Sequence, residues 1–382
     1  MNATIKRCQP IEYFTSECSK LCRSHCFYLD RVHTYLEYKT CDMDTATLQL
    51  YIRQQINTKE TDSVLFSWQD SELTSDSFDF FNQVIELQKQ FAQDKSIINT
   101  VLTNSALLDN SWCEFFKKNN FIISIPVNVD VSTHNNFCKT VSGKPTVHQI
   151  EESVSLLQKH GVDFSTLTSI DAINSQQPLR VYHYLKNLGS QHMQFIPLLE
   201  PIEQGGVSAR SLAPAAFGTF LKTIFYTWVR LDIGTIKIPI FEQAFAAWCE
   251  LPTANRIFSP SENDTSALKT NDDLYQHNHF AHSKTLRSNS RQSVITRIQK
   301  NKTVGQHKPL LAAECVSCKM EFACRGGCPK DRIVFSQRGA PELNYFCESY
   351  LAFFTYVEPY MLMMRALWEQ NYAPSDIRQY LA

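Results

Sequence analysis

The spacing of its cysteines constrains this chain more than any other feature. The chain has 382 residues and thirteen cysteines, and most of the cysteines fall into two groups. Near the start these are Cys18, Cys22 and Cys26, and near the end they are Cys315, Cys318, Cys324, Cys328 and, further on, Cys347. Thiolates at such short intervals can converge on one metal centre, whereas a disulfide framework is typical of much shorter secreted chains. The spacing therefore predicts metal sites, and it leaves iron–sulfur clusters and zinc both open.

The composition is that of a globular protein with a large core. Hydrophobic residues make up 43% of the chain, which is enough for one large domain and a smaller one. A net charge of −1 without a basic block argues against nucleic acid or an anionic membrane surface as a partner. The start, MNATIKRCQP, lacks the apolar run of a signal peptide, and no apolar segment reaches a membrane-spanning length. We therefore expect a cytoplasmic protein whose thiols stay reduced.

Short apolar runs alternate with segments of helical period up to Leu231, which is typical of βα units. The predicted strands are Ile11–Phe14, Ser63–Trp68, Ile98–Asn104, Phe121–Val129, Asp163–Ile170 and His192–Glu200. The predicted helices are Asp44–Thr58, Ser75–Ala92, Asn110–Asn119, Thr146–His160, Pro178–Leu188 and Ala213–Leu231. Continuous apolar runs indicate strands buried on both faces of a parallel sheet. Six such units predict an α/β fold with a partial (βα)6 barrel, in which the loops after the strands carry the chemistry.

Local signals mark several helix ends. Ser75 and Asn110 suit N-caps, and Gly161 and Gly189 stand where a helix commonly ends. Beyond Leu231 the pattern becomes polar and irregular, until a helix from about Tyr350 to Gln370 closes the chain. These changes divide the chain into a barrel domain, residues 1–231, and a smaller cysteine-rich domain, residues 232–382.

Several separated segments together resemble one family. They are TSECSKLCRSHCFYLDR (Thr15–Arg31), LLQKHGVDFSTLT, YLKNLGSQHMQFIPLLEP, CVSCKMEFACRGGCPKDR (Cys315–Arg332) and YFCESY. Their order and content are similar to those of the anaerobic sulfatase-maturating enzymes, which are radical S-adenosylmethionine (SAM) proteins with a SPASM-type C-terminal domain. The resemblance implies a radical SAM-type partial barrel followed by a SPASM-like domain.

The resemblance also implies a mechanism. Cys18, Cys22 and Cys26 would hold a 4Fe–4S cluster whose open iron binds SAM, and Tyr28 stands in the family's aromatic position after the third cysteine. Reductive cleavage of SAM then gives a radical that starts the conversion of a Cys or Ser in a sulfatase peptide to formylglycine. The implied partner is accordingly a peptide or protein, such as a sulfatase. One departure concerns Cys22 and Cys26, which have three residues between them where the family has two.

Further departures concern the implied SAM contacts. Glu72 and Asn104 stand at family positions for SAM, but Asp70 and Ser71 replace two glycines that let the backbone approach the methionine end. Added Cβ atoms and a carboxylate should crowd and repel that group. Cys138 stands where the family has an arginine, which removes a bidentate partner for the SAM carboxylate. We therefore expect SAM binding to be weak.

The family holds two further clusters in its C-terminal domain. All four ligands of one of them are matched, by Cys315, Cys318, Cys324 and Cys347. Of the other, only Cys328 remains, because the family's Cys-x5-Cys pair is absent and its motif cysteine is replaced by His277. Asn278 stands where the family has the aspartate that accepts the substrate proton, and an amide cannot take up a proton near neutral pH. The sequence thus predicts one C-terminal cluster and leaves a second cluster, at the first cysteine group, open.

Three interpretations follow from the sequence. The departures favour a diverged homologue that keeps the barrel and one cluster, is impaired in SAM chemistry, and acts by binding a peptide or partner. The second is an active radical SAM oxidoreductase that forms formylglycine. The third is a zinc-bound structural knot at the four C-terminal cysteines, because four thiolates also suit zinc. His277, His279 and His282 are candidate metal ligands or exposed loop residues.

Overall fold

The computed structural model describes most of the chain between residues 45 and 381. The described ranges are 45–58, 62–69, 73, 75–103, 108–127, 147–202, 206–251, 267–268, 274–275, 311–328, 331–334 and 343–381. No helix within these ranges is long and apolar enough to cross a membrane.

A parallel sheet organises the first half of the described chain. Its five strands are β1 (Ser63–Gln69), β2 (Ser96–Leu102), β3 (Phe121–Pro126), β4 (Asp163–Ile170) and β5 (Met193–Pro197), adjacent in chain order. The helices around them are α1 (Thr45–Thr58), α2 (Ser75–Phe91), α3 (Asn110–Lys118), α4 (Val147–His160), α5 (Pro178–Asn187) and α6 (Pro214–Leu231). The predicted α/β partial barrel is thus confirmed. The strand predicted at Ile11–Phe14 lies outside the described residues, so the sixth unit stays a prediction.

The two faces of the sheet differ. On β1, Val64, Phe66 and Trp68 are buried toward the helices, and the Trp68 ring meets Phe80 and Phe81 of α2 edge to face. Side chains alternate along a strand. The residues between them, Leu65 and Ser67 on β1, therefore line the inner face of the partial barrel.

The helix-end predictions were right for the glycines and wrong for the caps. Gly161 (φ 64°) and Gly189 (φ 81°) adopt the left-handed conformation that ends a helix. Ser75 and Asn110 are not N-caps, because α2 and α3 already begin at these residues. For α3 the cap is Asp109, whose extended backbone lets its carboxylate accept from the backbone N–H of Trp112 at 2.9 Å.

The elements after the barrel are mostly short. They are α7 (Pro239–Trp248), β6 (Ala267–Leu268), β7 (Leu274–Tyr275), α8 (Ala313–Val316), α9 (Glu321–Cys324), β8 (Arg332–Val334), β9 (Leu343–Asn344), α10 (Cys347–Glu369) and a 3₁₀ helix, Pro374–Tyr380. The strands pair antiparallel as β6–β7 and β8–β9. The closing helix was predicted from Tyr350, and α10 begins earlier, at Cys347. Helix α7 was not predicted, although Pro239 at its first position and apolar residues at helical spacing are its signals.

Helix α10 packs back onto α6 of the barrel. Gly218 permits the close approach, because a Cβ there would lie 3.3 Å from the Cα of Ser349. Ser349 is fully buried, and its hydroxyl donates to the carbonyl of Pro214 at 2.6 Å. Phe217 meets Phe346 edge to face, at 5.5 Å between ring centroids. One hydrophobic cluster therefore spans both sides of Leu231, where the sequence predicts the domain boundary. That boundary stays a prediction.

The Ser349 hydroxyl gives the first testable prediction. Ser349→Ala removes a buried hydrogen bond between α10 and α6, so the free energy of unfolding should fall by about 1–2 kcal/mol. Thr219→Ala is the matched control, because the Thr219 hydroxyl donates to the Ala215 carbonyl at the exposed surface of α6. The control should change the free energy by less than about 0.5 kcal/mol. Urea unfolding measures both, and equal effects of the two substitutions would contradict the anchoring role.

Candidate functional site

Four cysteines meet where the short C-terminal elements join α10. Cys315 lies in α8, and the N–H of Cys318 donates to its carbonyl at 3.1 Å. Cys324 is the last residue of α9, and Cys347 is the first residue of α10. All four are partly exposed and carry free thiols. Two single helical turns and one helix N-terminus thus present the four side chains.

The pKa values of the thiols indicate their proximity. Burial raises the pKa of Cys324 to about 12, together with the neighbouring charge of Cys347 and smaller effects from Cys315 and Cys318. Burial also raises the pKa of Cys347 to about 11, again with contributions from Cys315 and Cys318. Burial raises the pKa of Cys315 as well, against the opposing charge of Arg332. The structure therefore brings together all four side chains that the sequence predicts as one ligand set.

A left-handed turn follows Cys324. Arg325, Gly326 and Gly327 have φ angles of 49°, 79° and 62°. The backbone N–H of Gly326 bonds to the Cys324 thiol and lowers its pKa in part. The Arg332 guanidinium donates to the carbonyls of all three turn residues, at 3.2 to 3.4 Å. This turn holds Cys324 against the remaining thiols.

Asn344 joins the turn to α10. Its side-chain amide donates to the carbonyl of Cys328 at 3.0 Å and accepts from the N–H of Phe346 at 2.8 Å. Cys328 itself is buried, and its charge acts on the buried Tyr350. The groups that shift the pKa values of Cys315, Cys324 and Cys347 do not include it. The origin of Cys328 as a remnant of another cluster stays a prediction.

The geometry of the four cysteines bears on the metal. Zinc would hold four thiolates at about 2.3 Å, which brings the sulfurs within about 3.8 Å of one another. Among the described residues, no three His, Cys, Asp or Glu side chains are grouped so as to hold a single ion. In a 4Fe–4S cluster each thiolate binds its own iron, so the ligands surround a larger centre. Four cysteine thiolates near one another are a donor set that suits either a 4Fe–4S cluster or a zinc ion.

Comparison with known proteins places the chain among its relatives. No protein-family model matches it. The serine-type anaerobic sulfatase-maturating enzyme of Bacteroides thetaiotaomicron is 29% identical over an alignment of 383 positions, which covers 95% of this chain and 92% of the relative. The cysteine-type enzyme of Clostridium perfringens is 26% identical over 361 residues, covering 91% and 95%. The chain is a homologue of the anaerobic sulfatase-maturating enzymes. The resemblance seen in the sequence motifs is thereby confirmed.

A solved maturase structure agrees with the fold. Native anSMEcpe with bound AdoMet, which is SAM, superposes with a TM-score of 0.78 at 24% identity, covering 94% of this chain and all of that one. The same protein with bound AdoMet and the Cp18Cys peptide superposes with a TM-score of 0.76. At this identity the superposition establishes the shared maturase fold and nothing about ligands of this chain.

The other predicted site residues of this maturase homologue lie outside the described residues. The first cysteine group comprises Cys18, Cys22 and Cys26, with Tyr28 after it, and the implied SAM contacts are Glu72 and Asn104. The substituted base position is Asn278, and its histidine neighbours are His277, His279 and His282. The substituted positions Asp70, Ser71 and Cys138 also lie there. Their roles stay predictions.

The described strands add a polar inner face that the sequence reasoning missed. The hydroxyls of Ser67 and Thr100 are 3.0 Å apart, and those of Ser124 and Ser165 are 2.8 Å apart, each pair joining neighbouring strands. Gln194 on β5 adds a buried amide oxygen without a hydrogen-bond partner in the described part of the chain. Ser or Thr at alternate positions of successive strands was the available signal. The maturase homologue thus lines its barrel with groups suited to a polar ligand.

The left-handed turn generates the second prediction. A Cβ on Gly327 would lie 2.7 Å from the nitrogen of the Asn344 side-chain amide, and two hydrogen bonds hold this amide in place, one through its nitrogen and one through its oxygen. Gly206 also has positive φ, but no atom of the described residues lies within 4 Å of such a Cβ. Both Gly→Ala substitutions should cost about 1–2 kcal/mol of backbone strain. Only Gly327→Ala should cost about 1–3 kcal/mol more, by disrupting the Asn344 bonds.

Urea unfolding compares the two glycine variants. Gly327→Ala should also change the reaction rate of the thiols with a thiol-specific reagent, because the turn positions Cys324. An equal loss of stability in both variants, with unchanged thiol reactivity, would show that the turn does not shape the cysteine site.

Proposed function

We propose that this maturase homologue binds at least one 4Fe–4S cluster and acts by binding a peptide or protein partner, with impaired SAM chemistry. The observation that carries the proposal is the grouping of Cys315, Cys318, Cys324 and Cys347 within range of one another's charge. Four cysteine thiolates are the ligand set of such a cluster. The partner class follows from the homology, since a related structure contains a bound peptide.

The C-terminal cysteines would give the cluster a structural role. When bound, the cluster would supply a rigid link between α8, α9 and the start of α10. Cys324 and Cys347 must release their thiol protons to become ligands, and their raised pKa values make this release harder. Cluster binding should therefore weaken as the pH falls. Arg332, whose charge lowers the pKa of Cys315, would stabilise the thiolate form there. Metal binding would then contribute directly to folding.

The third prediction tests these ligands. After anaerobic reconstitution, one cluster corresponds to about four irons per chain and two clusters to about eight. Cys347→Ala and Cys318→Ala should each lose the iron and sulfide of one cluster and lower the yield of soluble protein. Cys249→Ala is the control, because Cys249 is a buried cysteine at the end of α7 and outside the group.

Metal analysis decides between the outcomes. Cys249→Ala should keep the wild-type iron content. An unaltered iron content in Cys318→Ala and Cys347→Ala would show that the cluster does not bind at these cysteines. Zinc in place of iron and sulfide in the wild-type protein would favour the structural zinc knot.

The fourth prediction concerns SAM. Asp70 and Ser71 stand where the family has glycines, and Cys138 stands where it has an arginine. Crowding and lost charge pairing should make SAM binding to the reconstituted protein at least about tenfold weaker than in an active relative. Calorimetry measures the affinity. The double variant Asp70→Gly, Ser71→Gly should bind SAM more tightly than the wild type, since it reopens the backbone approach.

An active enzyme is the second candidate function. The match to a working maturase over 95% of the chain favours it. Incubation with a sulfatase-motif peptide, reductant and SAM separates the two candidates. Binding without a change in peptide mass supports the proposal, because Asn278 cannot accept the substrate proton. Tight SAM binding, release of 5′-deoxyadenosine and the mass of a formylglycine product would establish the radical SAM oxidoreductase instead.

A further inference from the structure

The fold holds the positive charge of Arg332 beside the turn that follows Cys324. The Arg332 guanidinium donates from Nε to the carbonyl of Gly326 at 3.3 Å. From Nη2 it donates to the carbonyls of Arg325 and Gly327, at 3.4 Å and 3.2 Å. A planar guanidinium that contacts three carbonyls has little freedom to move. The backbone after Cys324 therefore fixes the position of this charge.

A single glycine separates the guanidinium from the Cys324 sulfur. The Gly326 N–H bonds to the Cys324 thiol, and the Gly326 carbonyl accepts from Arg332. Gly326 also leaves room for the guanidinium, because a Cβ there would lie 3.0 Å from Nη2. The N–H and the carbonyl of one residue are within about 4 Å of each other, so the guanidinium lies within about 11 Å of the sulfur.

The strand that carries Arg332 is also linked to Cys347. Arg332 on β8 pairs with Asn344 on β9 in antiparallel register. The Cα atoms of such a pair are about 5 Å apart. The Asn344 side chain accepts from the N–H of Phe346, which directly precedes Cys347. Arg332 therefore adjoins the backbone next to two of the four thiols, those of Cys324 and Cys347.

The side-chain charges that oppose Arg332 at this site are negative. Burial raises the pKa of Cys315, Arg332 lowers it in part, and the carboxylates of Glu314 and Glu321 raise it. Glu314 also raises the pKa of Cys347, after the larger effect of burial. Among the described residues, no second cation contributes to the pKa shifts of the grouped thiols. Thiolate ligands and two carboxylates thus place negative charge around one fixed guanidinium.

We propose that Arg332 is a positioning residue that supplies the counter-charge of the 4Fe–4S cluster and raises its reduction potential. The inference rests on the proposed cluster at the four cysteines. Net charge around the ligand sulfurs is one of the factors that set the potential of such clusters. Reduction adds one electron and breaks no bond, so the reduced form is the more negative one. A fixed positive charge stabilises that form more than the oxidised form.

Arg332→Met tests the inference, because methionine keeps an unbranched side chain and removes the charge. A unit charge at about 11 Å, with an effective dielectric constant of about 20, changes an equilibrium about tenfold. The reduction potential should accordingly fall by about 59 mV, which is a tenfold change for one electron. Arg332→Lys keeps the charge and loses the planar fork, so it should retain most of the wild-type potential.

Arg365→Met is the matched control. Arg365 also donates to a backbone carbonyl, that of Trp248 at 2.7 Å. It follows Cys347 by eighteen residues on α10, which is about 27 Å along the helix. Salt screens charges over about 10 Å, so the loss of Arg365 should leave the potential of the cysteine site unchanged.

The measurement is a potentiometric titration of the anaerobically reconstituted full-length protein. Dithionite supplies the electron, and electron paramagnetic resonance follows the reduced cluster. The signal of the C-terminal site is the one that Cys347→Ala lacks. Iron analysis of each variant reports whether the cluster is retained.

The outcomes separate charge from structure. A lower potential in Arg332→Met, with Arg332→Lys and Arg365→Met close to the wild type, supports the inference. Loss of iron in Arg332→Met with retention in Arg332→Lys also supports it, since lysine restores the charge without the fork. An unchanged potential in Arg332→Met overturns the inference.

Two further results contradict it. Equal shifts in Arg332→Met and Arg332→Lys, or loss of iron in both, would assign Arg332 a structural role through its fork and not through its charge. If the wild type binds no iron at the four cysteines, the proposed cluster fails, and this inference fails with it.

Discussion

The close packing of α10 on α6 determines where the candidate metal site can form. Gly218 allows the backbones to approach, and the buried Ser349 hydroxyl fixes their register at Pro214. Cys347 precedes Ser349 by two residues, so any sliding of α10 would carry this thiol away from the other three. The barrel helix thereby positions one of the four thiols of the candidate site, whose other three lie on α8, on α9 and between them.

The rest of the site is weakly supported by the protein alone. Helices α8 and α9 have four residues each and no side-chain hydrogen bond at their N-caps. Single turns of this kind are not stable in isolation, because nucleating a helix costs more than one turn returns. Burial and mutual repulsion also raise the thiol pKa values of Cys324 and Cys347. A bound cluster would offset both costs, since it replaces the thiol protons and links the short elements.

The regular parts of the fold were predictable from local signals. Strand β4 was predicted with its observed bounds, Asp163–Ile170, because its apolar run is enclosed by a glycine-terminated helix and a polar turn. The choice of Cys347 rather than Cys328 as the fourth ligand came from the family resemblance, because spacing along the chain does not distinguish the two cysteines. The Asp109 cap was missed because Asp and Asn are adjacent and both suit an N-cap. The unpaired amide oxygen of Gln194 could not be predicted, since its burial depends on tertiary packing around β5.

The outer and inner faces of the barrel differ in polarity, and the inner face carries groups that could contact a ligand. The outer face is apolar and packs on helices, as the fold requires. The inner face keeps hydroxyls at Ser67, Thr100, Ser124 and Ser165, and an unpaired amide oxygen at Gln194. A barrel that served only as a scaffold would be more stable with apolar side chains at the unpaired position, because nothing in the described structure compensates the buried oxygen. Retention of such a group is expected where a polar ligand still enters the barrel, even if the SAM contacts are altered. The proposed impairment of SAM chemistry and the proposed binding of a peptide are therefore compatible in one chain.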